Sequence, residues 1–246
     1  MKLWGVSDDG TIKFVSLTPR HLEGALEVLR KGFYPYESVC IAVKLAQYPQ
    51  AVADLDQLMT RVSEDGVSIV AIESDTEKVV GVAFNKLQVK NTSGDKSFFE
   101  KHAELCTHPS SQRLITFMVE ADATCDLFEY CHVDCILELT FLATHPEYRR
   151  RGIARKLTEI TLELARCLAK GENVRQSMDE TELCLESVPG IVSALFTSPT
   201  SQKIGRALGW EIAKKISYEN FVYEGKSFAC ILGKDRTDTT LEYKRL

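Results

Sequence analysis

The sequence predicts one mixed α/β domain: a central sheet of about seven strands flanked by helices. Three observations carry this. Helical and strand patterns alternate along the chain, with a hairpin pattern early and another late. A strongly apolar strand, Ile136–Ala143, runs into a long amphipathic helix, Gly152–Leu168. No repeat and no shift in composition divides the 246 residues, so residues 1–246 read as a single domain, with a core over about 11–233 and a polar tail over about 234–246.

The elements follow in order. Thr11–Leu17 reads as a short strand. Thr18-Pro19 is an N-cap followed by proline at the first helical position. Leu22, Leu26, Leu29 and Phe33 then recur at helical spacing, giving a first helix to about Gly32. A second helical region covers about Ser38–Ala46, and a third about Ala51–Val62, ending at Glu64-Asp65-Gly66. Ser68–Glu73 and Val79–Leu87 form a hairpin around the polar turn Ser74–Lys78. Asn91–Lys96 reads as a loop. Ser110–Cys125 reads as a helix with Leu114, Phe117, Met118, Ala121 and Cys125 on one face. After Ile136–Ala143 and Gly152–Leu168, the charged stretch Ala169–Glu182 lacks periodicity and reads as a surface loop. Ile191–Thr197 is a strand, and Thr200–Leu208 a short helix capped by Gly209. Strands over about Glu211–Tyr223 and Ser227–Leu232 close the domain.

Composition excludes several classes. Thirty Lys and Arg against thirty-five Asp and Glu leave a net charge of −5, the wrong sign for a general nucleic-acid binder. No run of 18 uncharged apolar residues predicts a membrane span, and the start Met1-Lys-Leu-Trp-Gly-Val-Ser-Asp-Asp9 places acids where a signal peptide wants an apolar stretch. The end, Tyr243–Leu246, shows no prenylation box or retention signal. The eight cysteines include no C-x-x-C pair, so free thiols in a reducing cytoplasm are expected. Cys131, His132 and Cys135 lie close together but lack a second ligand pair, so no metal is expected.

The segment that carries chemistry is Leu139–Leu157. A buried strand turns through His145-Pro-Glu-Tyr148 into Arg149-Arg-Arg-Gly-Ile-Ala154 and then a helix. Unpaired N–H groups and the positive end of the helix dipole make such a start an anion site. Gly152 permits close backbone approach, Ala154 is small, and arginines add forked donors suited to phosphate. The chemistry implied is pyrophosphate binding. Neither G-x-x-x-x-G-K-[ST] nor G-x-G-x-x-G is present.

The pattern R-x-x-G-x-A, at Arg149, Gly152 and Ala154, resembles the acetyl-CoA loop of the GNAT superfamily of N-acetyltransferases. Ala194–Trp210 looks like that family's next strand and helix, ending in Leu-Gly-aromatic. Val80-Gly-Val-Ala-Phe-Asn85, Cys106-Thr-His-Pro109 before a long helix, and Asp126-Leu-Phe-Glu-Tyr130 resemble the insect arylalkylamine N-acetyltransferases. The resemblance runs from about Phe14 to Leu232.

It implies a GNAT fold splayed at the cofactor strand and acetyl-CoA as co-substrate, with no metal. Backbone groups of Leu142, Ala143 and Thr144 would pair with the pantetheine arm. Pyrophosphate would lie on Arg149, Arg150, Arg151, Gly152, Ile153 and Ala154. The reaction would move an acetyl group to the primary amine of a small molecule, an arylalkylamine first. An alkyl amine has a pKa near ~10, so about one molecule in a thousand is unprotonated at neutral pH and a base is needed. The resemblance places that base at Glu37, just after the first helix; the family's usual Asp-Glu-Pro reads Tyr36-Glu37-Ser38 here. Glu138, inside the apolar strand, is the rival, because burial would raise its pKa. The general acid falls on Ser201 or Thr197; the tyrosine many relatives place four residues before the helix's terminal glycine is Gly205 here. His145 and His132 are minor candidates for carrying a proton. Phe33, Tyr34 and Tyr36 flank Glu37 and would supply an aromatic slot. The alternatives are a peptide, protein or polyamine N-acetyltransferase, and a non-catalytic acyl-CoA-binding protein. The expected partner is a small-molecule amine, with no nucleic acid and no membrane, and the family expectation is a monomer.

Overall fold

A computed structural model describes residues 1–91, 93–179 and 181–246. The chain opens with a hairpin, β1 (Leu3–Val6) and β2 (Ile12–Ser16). Helix α1 (Pro19–Gly32) starts at the proline and ends against α2 (Ser38–Ala42), a 3-10 turn at Leu45–Gln47 and α3 (Pro49–Ser63). The hairpin β3 (Ile69–Glu73) and β4 (Val79–Val89) follows. Then come α4 (Phe98–Leu105), α5 (Pro109–Asp122) and α6 (Leu127–Cys131). Strand β5 (Cys135–Thr144) leads through a 3-10 turn to α7 (Ile153–Ala169). The chain ends with β6 (Ile191–Phe196), α8 (Pro199–Ala207), β7 (Glu211–Ser217), the two-residue strands β8 (Val222–Tyr223) and β9 (Lys226–Ser227), α9 (Phe228–Leu232) and β10 (Asp238–Arg245).

One eight-stranded sheet, ordered β1-β2-β3-β4-β5-β6-β10-β7, organises the molecule. Every pairing is antiparallel except β5 with β6. One face packs on α1, α2, α3, α4 and α5, burying Leu29, Val39, Leu58, Phe99, Phe117 and Phe141. The other packs on α7, burying Leu139, Ile153, Leu157, Leu164 and Val192. Helix α5 is held from behind by Asp54 of α3. Its carboxylate accepts from the Thr107 and His108 N–H groups at 2.9 and 3.0 Å and from the Ser111 hydroxyl at 2.5 Å.

Two features of β5 position the site. It pairs with β6 only at Ile136–Glu138; beyond Glu138, its edge meets no second strand among the described residues. A bulge sits in the same region: Phe84 opposes Phe141 and Asn85 opposes Leu139, leaving Thr140 unopposed. The extra residue flips the alternation, so Phe141 and Ala143 face α1 while Leu139 faces α7. The sheet therefore opens into a V whose arms are β5 and the β6–α8 connection.

Several expectations are corrected. Residues 238–245 are not tail but β10, a central strand paired on both sides. Its Thr-Thr-Leu-Glu-Tyr run looks polar, yet Thr240 donates to Glu242 at 2.7 Å, so two buried polar groups satisfy each other. The sheet has eight strands: β1 and β10 join it, and the strand expected over Ser227–Leu232 does not. Ser227–Leu232 is mainly helix: the Ser227 hydroxyl caps the Cys230 N–H at 3.1 Å, and a short apolar run fits either structure. The strand expected over Glu211–Tyr223 stops at Ser217, whose hydroxyl starts a 3-10 turn. Helix α4 begins in a reciprocal Ser97–Glu100 capping box, a local signal passed over in the sequence.

Candidate active site

The V encloses a cavity of about 580 Å³, a size usual for small-molecule sites. Its walls include Phe33, Tyr36 and Glu37 from the α1–α2 junction, Leu114, Phe117 and Met118 from α5, Glu138–Leu142 from β5, and Leu195–Ser201 from β6 and α8. Ala154 and Arg149 lie at the α7 end, Asp235 and Arg236 at the mouth. The gap thus passes through the sheet, from the α7 side to the α1–α5 side.

At the α7 end the backbone forms an anion cradle. Gly152 (φ 76°) and Arg150 (φ 67°) both adopt left-handed conformations, and Gly152 caps the helix without a side-chain bond. For a non-glycine residue that conformation costs about 1–2 kcal/mol. Among the described residues, the N–H groups of Arg150–Arg155 find no acceptor in the protein. The side chain of Ile153 is core; it presses on β4 at Gly81, where a Cβ would sit 2.7 Å from Ile153 Cγ2. Only its backbone is available. The three arginines diverge. Arg149 donates to the Gly32 carbonyl at 2.9 Å, lies 4.2 Å above the Tyr36 ring, and is the one that lines the cavity. Arg151 approaches Asp9 at 3.9 Å, and Arg150 is exposed. Leu142 lines the cavity, Ala143 is buried, and the Thr144 carbonyl abuts Gly32.

Across the cavity, Glu37 is the N-cap of α2. Its two oxygens accept from the Val39 and Cys40 N–H groups at 2.9 and 2.7 Å. Each keeps a second lone pair. Behind it stands the fully buried Tyr218, whose hydroxyl donates to the Thr197 carbonyl at 2.7 Å. Burial, and then the neighbouring Glu37, push the Tyr218 phenol well above its usual range. Tyr218 thus ties the base of one wall to the opposite arm of the V. Ser201 is reached by the cavity, but its hydroxyl closes a capping box with Ser198 and donates to the Ser198 carbonyl at 3.0 Å. Thr197 also lines the cavity.

Glu138 lies at the apex, 5% exposed, and also lines the cavity. Burial pushes its carboxyl up to about 7, and Asp122 on α5 is raised as well, by burial and by Glu138. The remaining candidates lie elsewhere. His145 is buried outside the cavity wall, its imidazole held down by burial and by Lys78. His132 is the exposed left-handed cap of α6. Tyr34 is core, bonded to Asp56 at 3.0 Å, so the aromatic lining is Phe33, Tyr36, Phe117, Phe141 and Phe196. Among the described residues, no group of three or more His, Cys, Asp or Glu is placed to hold a metal, and no helix is long and apolar enough to cross a membrane.

Neither the protein-family models nor the curated proteins contain a match to this chain. Solved structures do match. An arylalkylamine N-acetyltransferase 2 from Aedes aegypti superposes with a TM-score of 0.75 at 23% identity, over 95% of this chain and 98% of that one. A mosquito arylalkylamine N-acetyltransferase-like 5b gives 0.76 at 19% identity, over 96% and 100%. A Drosophila melanogaster polyamine N-acetyltransferase, described as forming N-acetylagmatine, gives 0.74 at 15% identity, over 96% and 100%.

The chain has the GNAT fold.

Within this GNAT fold, the residues that sequence reasoning missed are Tyr218, Phe117 and the Asp122 partner of Glu138. Phe117 had been placed on the apolar face of its helix but not at the site. Tyr218 carried no local signal, because its role depends on elements distant in sequence.

Proposed function

We propose that this protein is an acetyl-CoA-dependent N-acetyltransferase acting on the primary amine of a small molecule, arylalkylamines first. One observation carries the reading: a single cavity runs from Arg149 and Ala154 at the α7 start, where helix N–H groups are unsatisfied, to a carboxylate, Glu37, on the opposite face of the sheet. The donors fit the cofactor. The N–H groups of Arg150–Arg155 and the Arg149 guanidinium would hold pyrophosphate. The free edge at Leu142, Ala143 and Thr144 would pair with the amide groups of pantetheine. When bound, acetyl-CoA supplies the thioester carbonyl that the amine attacks.

The chain's own residues would then do the following. Phe33, Tyr36 and Phe117 hold the acceptor's apolar body. Glu37 takes the proton from the ammonium, leaving a neutral amine to attack. Backbone N–H groups at the Thr140 bulge, unpaired on the open side, stabilise the oxyanion. Ser201 or Thr197 donates a proton to the departing thiolate. The expected location is the cytoplasm.

The test is release of free thiol from acetyl-CoA with a panel of arylalkylamines, polyamines and amino acids, corrected for the protein's own cysteines. Turnover on small amines is expected. No turnover, with acetyl-CoA still raising Tm, would reduce the protein to an acyl-CoA binder.

A further inference from the structure

Glu138 is the buried carboxyl for which the reaction above has no use. It is the last residue of β5 that pairs with β6, so it stands where the sheet opens. The Gln88 amide donates to its Oε2. Among the described residues nothing donates to Oε1, and the space beside this side chain is the cavity. Asp122 backs the carboxyl from α5 and offers no compensating charge. The cation whose charge reaches it, Lys86, is committed to both oxygens of Asp65 at 2.8 and 2.7 Å. Two residues on, Thr140 also lines the cavity, and its hydroxyl is buried without a partner.

Buried polar groups are normally hydrogen-bonded, and leaving an acceptor empty costs more than a made bond returns. A plain hydrocarbon or phenyl group here would leave Oε1 unsatisfied. A group bearing O–H or N–H would complete it.

We propose that Glu138 is a specificity-determining residue that receives a second hydrogen-bond donor of the acceptor amine, a ring hydroxyl or a second ammonium group. The proposal rests on the amine-site reading above. The reactive nitrogen belongs to Glu37, so this donor is a different one.

Calorimetric binding in the presence of CoA tests this without depending on turnover. The probes are phenethylamine against tyramine, and butylamine against 1,4-diaminobutane. At pH 8, where the Glu138 carboxyl is mostly ionised, the wild-type protein prefers the donor-bearing member of at least one pair by about tenfold, the fold-change expected of a bond to a charged group. A preference in the first pair identifies a hydroxyl, in the second an ammonium. Glu138→Leu brings that ratio close to one. Glu138→Asp, which keeps the charge and withdraws it by one methylene, lowers it in part and decides the matter should the leucine variant not fold. Ratios near one in the wild type, or ratios unchanged in both variants, overturn the proposal while plain amines that still bind leave the amine site standing. Absence of binding by all four amines overturns both.

Discussion

Glu138 shows how burial alone can set a residue's behaviour. Its carboxyl rises from 4.5 to about 7 because the charged form is desolvated, and the Gln88 and Lys86 interactions only partly offset this. The folded protein therefore binds this proton more tightly than the unfolded chain does. The stabilisation is complete below about pH 4.5 and is lost as pH rises through 7. Its size is on the order of 3 kcal/mol. Denaturant unfolding between pH 5 and 8.5 should show that decline in the wild type and a flatter profile in Glu138→Gln; parallel profiles would place the proton elsewhere. Glu37 contrasts with it: half-buried, its carboxylate is held by two helix N–H groups. Both acids stood out in the sequence, Glu37 through the family resemblance and Glu138 as a charge inside an apolar strand. Tyr218 did not, because the wall it braces is made by Glu37 and Thr197, each far away in the chain.

The start of α7 is the element on which the cofactor reading depends. Its strand, turn and helix were legible because they are contiguous in the chain, and Gly152 and the arginines are what point to an anion site there. Less legible was what seats the helix. Gly81 lets Ile153 drop against β4, since any Cβ there would press on Ile153 and Leu157 at 2.7 and 3.3 Å. Gly81→Val should lower stability by about 1–3 kcal/mol through overpacking and weaken acetyl-CoA binding at least fivefold, read by urea unfolding and calorimetry. Full retention of acetyl-CoA affinity would mean that the seat of α7 does not matter to the site. The misread elements share a cause. Short apolar runs such as Ser227–Leu232 fit strand or helix until tertiary contacts decide.

At the scale of the molecule, the chain makes a sheet that is continuous along its length except for one break. The mixed α/β class and most of the element order were readable from periodicity. The outer half of the sheet was not. Strand β10 is central although its residues look like a polar tail, because Thr240 and Glu242 pair internally and Thr239 bonds to the Phe196 carbonyl at 3.3 Å. By holding β6 along its whole length, β10 fixes one arm of the V while β4 holds the other. The break between β5 and β6 joins the two faces of the sheet, and on that the proposed chemistry rests. The most direct measurement is kcat/KM for thiol release from acetyl-CoA with a small arylalkylamine, wild type against Glu37→Gln. The account predicts measurable turnover for the wild type and a loss of about 10²–10³ in the variant, with acetyl-CoA binding retained. Equal rates for the two proteins would contradict it.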